Sequence, residues 1–233
     1  MLSKFGLKNN DKFICLAVRD RAYQLKKMST RYRDWKYHDF RHIDIDQFVL
    51  AAEELTKRGY YVFRMGVVVE KPFKSKNPKI IDYANSNLRS DFMDIYLGAK
   101  CTFCLTNGTG LDAIPSIFRR PIAYANFVPV EYFSTFSNRI LGIFKHHFSI
   151  KSDRNLSLRE IFMNTPLLTA SNYESKDILL IENTPEEIRD VAIEMHERIN
   201  GTWQLHDDDE LLQQKFSVDA AVDEILSMAS TAA

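Results

Sequence analysis

Apolar positions along the chain fall into two alternating patterns. Short apolar runs bounded by polar turns read as buried strands at residues 12–18, 60–66, 79–83, 101–105, 122–126 and 177–181. Between them, apolar residues recur at helical spacing. Asp44 or Asp46 serves as the N-cap of a helix whose inner face is Phe48, Val49, Ala51, Ala52 and Leu55. Lys57 and Arg58 fall in its last turn, where the helix dipole favours cations, and Gly59 closes it. Ser90 caps a second helix through Phe92, Met93, Ile95, Tyr96 and Leu97. A third spans 111–118 and stops at Arg119-Arg120-Pro121, and a short one covers 156–162. Thr184-Pro185-Glu186-Glu187 joins an N-cap, a proline at the first helical position and a glutamate at the third, ahead of a helix that ends near Gly201. Segments 22–42 and 128–155 show no period and read as irregular.

This alternation predicts an α/β fold, a mostly parallel sheet flanked by helices. No repeat or low-complexity linker divides the chain. The expected organisation is a lead at 1–11, one domain at 12–204 and a tail at 205–233 that is helical in part. The 233 residues carry 31 basic and 31 acidic side chains, a balance that argues against a dedicated nucleic-acid binder. No run approaches the ~18 apolar residues of a membrane span, and Leu2-Ser3-Lys4-Phe5-Gly6 is no secretory signal. Three cysteines cannot all pair. Cys15, Cys101 and Cys104 read as core thiols, the last two inside the strand at 101–105 rather than half of a zinc or redox motif.

Candidate chemistry gathers where strands end. Thr106-Asn107-Gly108-Thr109-Gly110 leads from a strand into a helix. Gly108 and Gly110 allow close backbone approach, the helix start offers N–H groups, and Thr106, Asn107 and Thr109 add side-chain donors, so the turn suits a phosphate. The alternative is a plain turn with Thr109 as N-cap. It is neither G-x-G-x-x-G nor a P-loop, which disfavours a dinucleotide dehydrogenase or a Walker ATPase. Arg19, beside Asp20 and Arg21, follows the first strand, and Arg64 follows the second. Each could hold a phosphate bidentately or be a solvated surface arginine.

Asp91 and Asp94 share a helix face, either to accept hydrogen bonds from a nucleoside or to complement the helix dipole. The aromatic and basic run Tyr32–His42 reads as a loop contacting an acceptor or partner, and its His38/His42 pair lacks a third metal ligand. His146 and His147 read as surface residues, and His206-Asp207-Asp208-Asp209-Glu210 as a solvated acidic run rather than a cation site. No residue stands out as general base; Asp20, Asp39 and Asp82 are candidates by location.

Six segments occur in order: Cys15-Leu16-Ala17-Val18-Arg19-Asp20, Tyr32-Arg33, Gly59-Tyr60-Tyr61-Val62-Phe63-Arg64-Met65-Gly66, Asp82-Tyr83-Ala84-Asn85-Ser86, Ser90-Asp91-Phe92-Met93-Asp94 and Thr106-Asn107-Gly108-Thr109-Gly110-Leu111. Together they resemble a bacterial family of glycosyltransferases associated with surface polysaccharides, across roughly residues 12–165. The resemblance implies a Rossmann-like sheet similar to the nucleotide-sugar-binding, C-terminal half of the GT-B fold. It implies that Thr106–Gly110 grips the diphosphate of a sugar nucleotide, that Arg19 and Arg64 approach the phosphates and that Asp91 or Asp94 meets the nucleoside. Catalytic parts would fall to Arg19, Asp20 and Arg64, with a nucleotide-diphosphate sugar as donor and no obligatory metal or other cofactor. The implied partners are a glycan or lipid-linked acceptor and a second copy or partner subunit. The expected location is cytoplasmic or peripheral to the inner membrane. Asn85 stands where the family pattern carries a His, and only about eleven residues precede the first strand, so a separate acceptor half is expected elsewhere. A catalytically inert sugar-nucleotide-binding module is the competing expectation, and a sugar-nucleotide epimerase a third.

Overall fold

A computed structural model describes residues 2–23, 25–26, 36–134 and 136–204. The tail at 205–233, with the acidic run that begins at His206, and the Tyr32-Arg33 motif lie outside the described residues. The chain divides into two compact units, residues 1–196 and 197–233.

In the first unit β1 (Phe13–Ala17) leads through a 3-10 turn at Ile45–Phe48 into α1 (Val49–Lys57), and then into β2 (Tyr61–Arg64) and β3 (Ile80–Ile81). The chain continues with α2 (Asp91–Lys100), β4 (Cys104–Thr106), α3 (Ala113–Ile117), β5 (Ile122–Phe127) and β6 (Ile140–Phe144). These six strands form one parallel sheet ordered β3-β2-β1-β4-β5-β6, the doubly-wound Rossmann order. The predicted parallel α/β architecture is therefore the fold.

β1 is buried at all five positions, as a strand covered on both faces requires. Phe13, Cys15 and Ala17 join Phe63, Met93, Leu97, Cys104 and Tyr124 in one core layer. Ile14 and Leu16 alternate to the opposite face. α1 starts later than predicted, because Asp44 caps the 3-10 turn by accepting from the Asp46 N–H. Gly59 closes the helix with φ +93°, in the left-handed region expected of a C′ glycine. Ser90 caps α2 by accepting from the Met93 N–H.

Two expectations need correction. Cys101 ends α2 rather than opening β4, although all three thiols are buried as expected. Residues 128–155 are not irregular, because they hold β6, β7 (His146–Ser149) and β8 (Arg154–Asn155). The strand at β9 (Ile178–Ile181) does not extend the parallel sheet. It pairs antiparallel with β7, giving a second sheet β8-β7-β9. With α4 (Leu158–Met163) and α5 (Ala170–Glu174), this sheet encloses a smaller core of Val130, Ile161, Leu167, Tyr173 and Ile178. α6 (Pro185–Asn200) follows, buried along Ile188, Val191, Ala192 and Met195. In the second unit, Gly201 takes φ +69° just past the helix, and Arg198 lies 5.0 Å over the Trp203 ring.

Candidate functional site

The sheet order fixes where a ligand fits. β1 and β4 are neighbours, yet the chain leaving β1 returns at β2 while the chain leaving β4 returns at β5. Their carboxyl ends therefore part, and ligands of open α/β sheets bind in the crevice so formed. A cavity of about 510 Å³ occupies that crevice. Val18, Arg19 and Asp20 come to it from β1, Met65 to Val69 from β2, Thr109 to Leu111 from β4, and Tyr23 and His38 from the segment after β1.

Asn107 ties these pieces together. Its side chain is buried, the Oδ1 accepting from the Arg19 N–H at 2.8 Å and the Nδ2 donating to the Arg41 carbonyl at 2.9 Å. Thr106 is buried as well, and its Oγ1 accepts from the Gly108 N–H at 3.2 Å. Gly108 holds φ +88°, and a Cβ there would stand 2.9 Å from the Phe127 ring. Thr109 closes a capping box with Asp112: the Thr109 N–H donates to the carboxylate at 2.9 Å, and its Oγ1 accepts from the Leu111 N–H at 3.1 Å.

The turn expected to offer backbone amides and side-chain donors to a phosphate thus spends Gly108, Thr109 and Leu111 N–H groups on itself. Asn107 and Thr106 act as struts beneath it. Only Thr109 and Gly110 of that turn line the cavity.

The two arginines part company. Arg19 lines the cavity. Arg64 is 1% exposed, with Nη1 3.3 Å from Asp82 Oδ1 and Nη2 3.7 Å from Asp20 Oδ2. Burial pulls its pKa down, and the two carboxylates push it back up. Neither of the readings open at the sequence level, phosphate fork or solvated surface arginine, describes a guanidinium buried between two aspartates.

Asp20 itself is engaged twice more, accepting from the Ala22 and Glu70 N–H groups at 2.9 and 3.0 Å. Asp82 accepts from the Phe73 N–H and from the Asn85 side chain. Asp39 lies 3.7 Å from Arg21 and 3.5 Å from His42. Asp94 is buried against Arg89 at 2.7 Å, while the Asp91 side chain is 94% exposed and 3.0 Å from the same arginine. Neither lines the cavity.

Arg41 and Asp112 enter without having been singled out in the sequence, and His38, read there as half of a pair without a third metal ligand, lines the cavity. Arg41 closes the 3-10 turn Lys36–Arg41, donates from Nη2 to the Gly108 carbonyl at 3.2 Å and lies 5.9 Å over the Tyr132 ring. Burial lowers the pKa of His38, and the nearby Arg41 and Arg19 lower it further. Burial of Asp112 raises its carboxyl to about 6 against the pull of the Thr109 N–H and Arg41. The sequence signal was present in the basic and aromatic run that ends at His42, but nothing in its spacing told which residues face inward. Burial raises the Cys15 and Cys104 thiols well above their ordinary range, as suits inert core residues. Among the described residues no group of His, Cys, Asp and Glu could hold a metal ion, and no helix is long and apolar enough to cross a membrane.

Two solved glycosyltransferases share the outline. One is the glycosyl transferase family 9 protein of Veillonella parvula, at 12% identity and a TM-score of 0.48, over 83% of this chain and 48% of that one. The other is the dodecameric iron-containing heptosyltransferase TibC, solved with ADP-D-beta-D-heptose, at 12% identity and a TM-score of 0.42, over 83% and 47%. The chain spans about half the length of each. No family model matches it, and no curated protein matches it.

Proposed function

We propose that this chain is the donor-binding domain of a glycosyltransferase that uses a nucleotide-diphosphate sugar in cell-surface polysaccharide synthesis. One observation carries the reading: a cavity of about 510 Å³ at the β1/β4 switch point with Arg19 on its wall. Its volume falls in the usual range for small-molecule sites. Val67, Val68 and Leu111 give it an apolar side for a base or ribose. Arg19 stabilises the departing diphosphate, with Arg41 adding positive potential and a neutral His38 on the cavity wall. Arg64 serves by holding the strand ends rather than by touching phosphate. The reaction needs no resident metal, and a glycan or lipid-linked acceptor comes from the cytoplasmic side, with a partner subunit or second copy completing its binding.

The engagement of Asp20 and Asp82 favours a second reading, an inert sugar-nucleotide-binding module. Both carboxylates are tied to backbone N–H groups and to Arg64.

A thermal-shift and calorimetry panel of UDP, GDP, CDP and ADP with their sugars tests the site, because a ligand of the native state raises its midpoint. Arg19→Ala should weaken binding of the favoured nucleotide by about 2–4 kcal/mol, the cost of removing one partner of a charge-paired contact. Unchanged affinity across the panel removes Arg19 from the site. Release of free sugar or transfer to an acceptor separates the enzyme from the module.

A further inference from the structure

Because the six strands of the large sheet are parallel, they all start at one edge, opposite the cavity beyond their carboxyl ends. The stretches that lead into them there carry an uneven charge. Residues 8–12, 98–103, 116–121 and 136–139 lead into β1, β4, β5 and β6. They hold six cations, Lys8, Lys12, Lys100, Arg119, Arg120 and Arg139, against one carboxylate, Asp11. The whole chain carries 31 side chains of each sign, so this excess is local. Backbone hydrogen bonds knit the stretches together. The Thr102 N–H donates to the Phe13 carbonyl at 2.7 Å, the Cys104 N–H to the Pro121 carbonyl at 3.0 Å and the Ile122 N–H to the Arg139 carbonyl at 3.0 Å. Arg120 Nε donates to the Ala99 carbonyl at 2.6 Å, and Arg139 Nη1 to the Arg119 carbonyl at 3.1 Å. Among the described residues none of the six cations forms an ion pair, and Lys12, Lys100, Arg119 and Arg139 are exposed.

Large apolar side chains stand beside these cations. Ile117, 74% exposed, and Phe118, 49% exposed, end α3 just before Arg119. Phe136, 81% exposed, lies three residues before Arg139, whose side chain reaches back to Arg119. Protein interfaces are poor in lysine and gather their apolar residues into a central patch. Here single apolar side chains project from two turns, with unpaired cations next to each. A bilayer with anionic headgroups answers both features. Its surface potential attracts lysine and arginine, and the boundary between headgroups and acyl chains takes up protruding apolar side chains.

We infer that the amino edge of the parallel sheet is a docking surface for a bilayer that carries anionic lipid. The inference is independent of the switch-point reading. β1 spans Phe13–Ala17, about 16 Å at the usual strand rise, so docking at its start leaves the cavity at its far end clear.

The test follows the full chain by flotation with vesicles of phosphatidylcholine alone or mixed with phosphatidylglycerol. Lys100→Gln combined with Arg119→Gln removes two exposed charges, and Ile117→Ser combined with Phe136→Ser removes two apolar tips. Phe136→Trp reports insertion through the difference between its emission and that of the wild type.

Mixed vesicles should bind the wild type about tenfold or more tightly than neutral ones, and high salt should weaken that binding. Each double variant should lose about fivefold or more, and the emission of Phe136→Trp should shift to the blue on mixed vesicles only. No preference for mixed vesicles, or binding that both double variants retain, overturns the surface. Loss in the charge variant alone, without a blue shift, overturns it in favour of an acidic protein partner. A dimer in solution that the apolar variant dissociates overturns it in favour of a second copy. Thermal midpoints check folding, and Ile117→Ser or Phe136→Ser alone replaces the pair where the midpoint falls. The switch-point reading fails separately: Arg19→Ala bears on nucleotide affinity and should leave vesicle binding unchanged, whereas the edge variants should leave nucleotide affinity unchanged.

Discussion

Arg64 shows how a functional-looking residue becomes a structural one. It ends β2 between the residues that follow β1 and β3, and its guanidinium reaches Asp20 on one side and Asp82 on the other. With the side chain 1% exposed, replacing it leaves two carboxylates facing a space built for a cation. Arg64→Met should destabilise the protein by about 3–5 kcal/mol, the range for breaking a buried ion pair by removing one partner. Urea unfolding reads this directly, and a loss under 1 kcal/mol would remove the clamp. Asp112 gives a pH signature. Its carboxyl is raised to about 6 from 3.8, so between those values the native state holds a proton that the unfolded chain has released. Stability therefore falls as pH rises through that window and levels off above it. Asp112→Asn keeps an acceptor for the Thr109 N–H and loses the titration. The stability of the wild type relative to this variant should drop by about 2–3 kcal/mol from pH 4 to pH 7, at about 1.4 kcal/mol per unit. A difference that stays flat across that range contradicts the raised carboxyl.

At the level of elements, the turn after β4 is a keystone whose side chains face inward. Asn107→Ala would orphan the Arg19 N–H and the Arg41 carbonyl, both part-buried. Each such group costs about 1–3 kcal/mol, so a total loss of about 2–6 kcal/mol is expected, with nucleotide affinity reduced because Arg19 is no longer held. Denaturant unfolding beside nucleotide calorimetry checks both halves. The same turn shows what could be read in advance. Its Gly and Thr pattern announced a tight path and an N-cap, and both are present. Whether its amides faced a ligand was not legible, because Asp112 as their internal partner becomes visible only once the capping box forms. β1, β2, α1 and α2 were legible because local period, caps and Gly59 agree. β6 to β8 were not. Among its described residues the link from β5 to β6 holds only a 3-10 turn, Val130–Tyr132, in place of the α-helix that usually marks a parallel crossover, and β7 buries His147 and Ser149, polar residues that hide its alternation. The partners of β9 are non-local, so its run of Ile and Leu could not say which sheet it joins.

At the scale of the whole molecule, a reciprocal asparagine pair joins the two sheets. The Asn126 N–H donates to Asn183 Oδ1 and the Asn183 N–H donates to Asn126 Oδ1, both at 2.6 Å, while Asn183 Nδ2 reaches the Phe144 carbonyl at 2.9 Å. Asn126 holds φ +56°, a conformation asparagine tolerates better than most residues. Both side chains are buried, so bulk water does not readily replace these bonds. β5 carries one half of the pair, and the chain just after β9 carries the other. Asn183→Ala removes two of the three bonds through its lost amide and leaves the Asn126 N–H and the Phe144 carbonyl unpaired. The parallel sheet keeps its own ladders through β1 and β4, whereas the small sheet has only three short strands and the core around Tyr173. Loss of the joint should therefore be local. Amide exchange in β7 and β9 is expected to quicken by at least tenfold, as for a subdomain whose opening free energy drops by about 1.4 kcal/mol or more, while β1 and β4 amides change far less. Uniform quickening across both sheets would mean instead that the molecule opens as one unit and that the asparagine pair belongs to a single cooperative core.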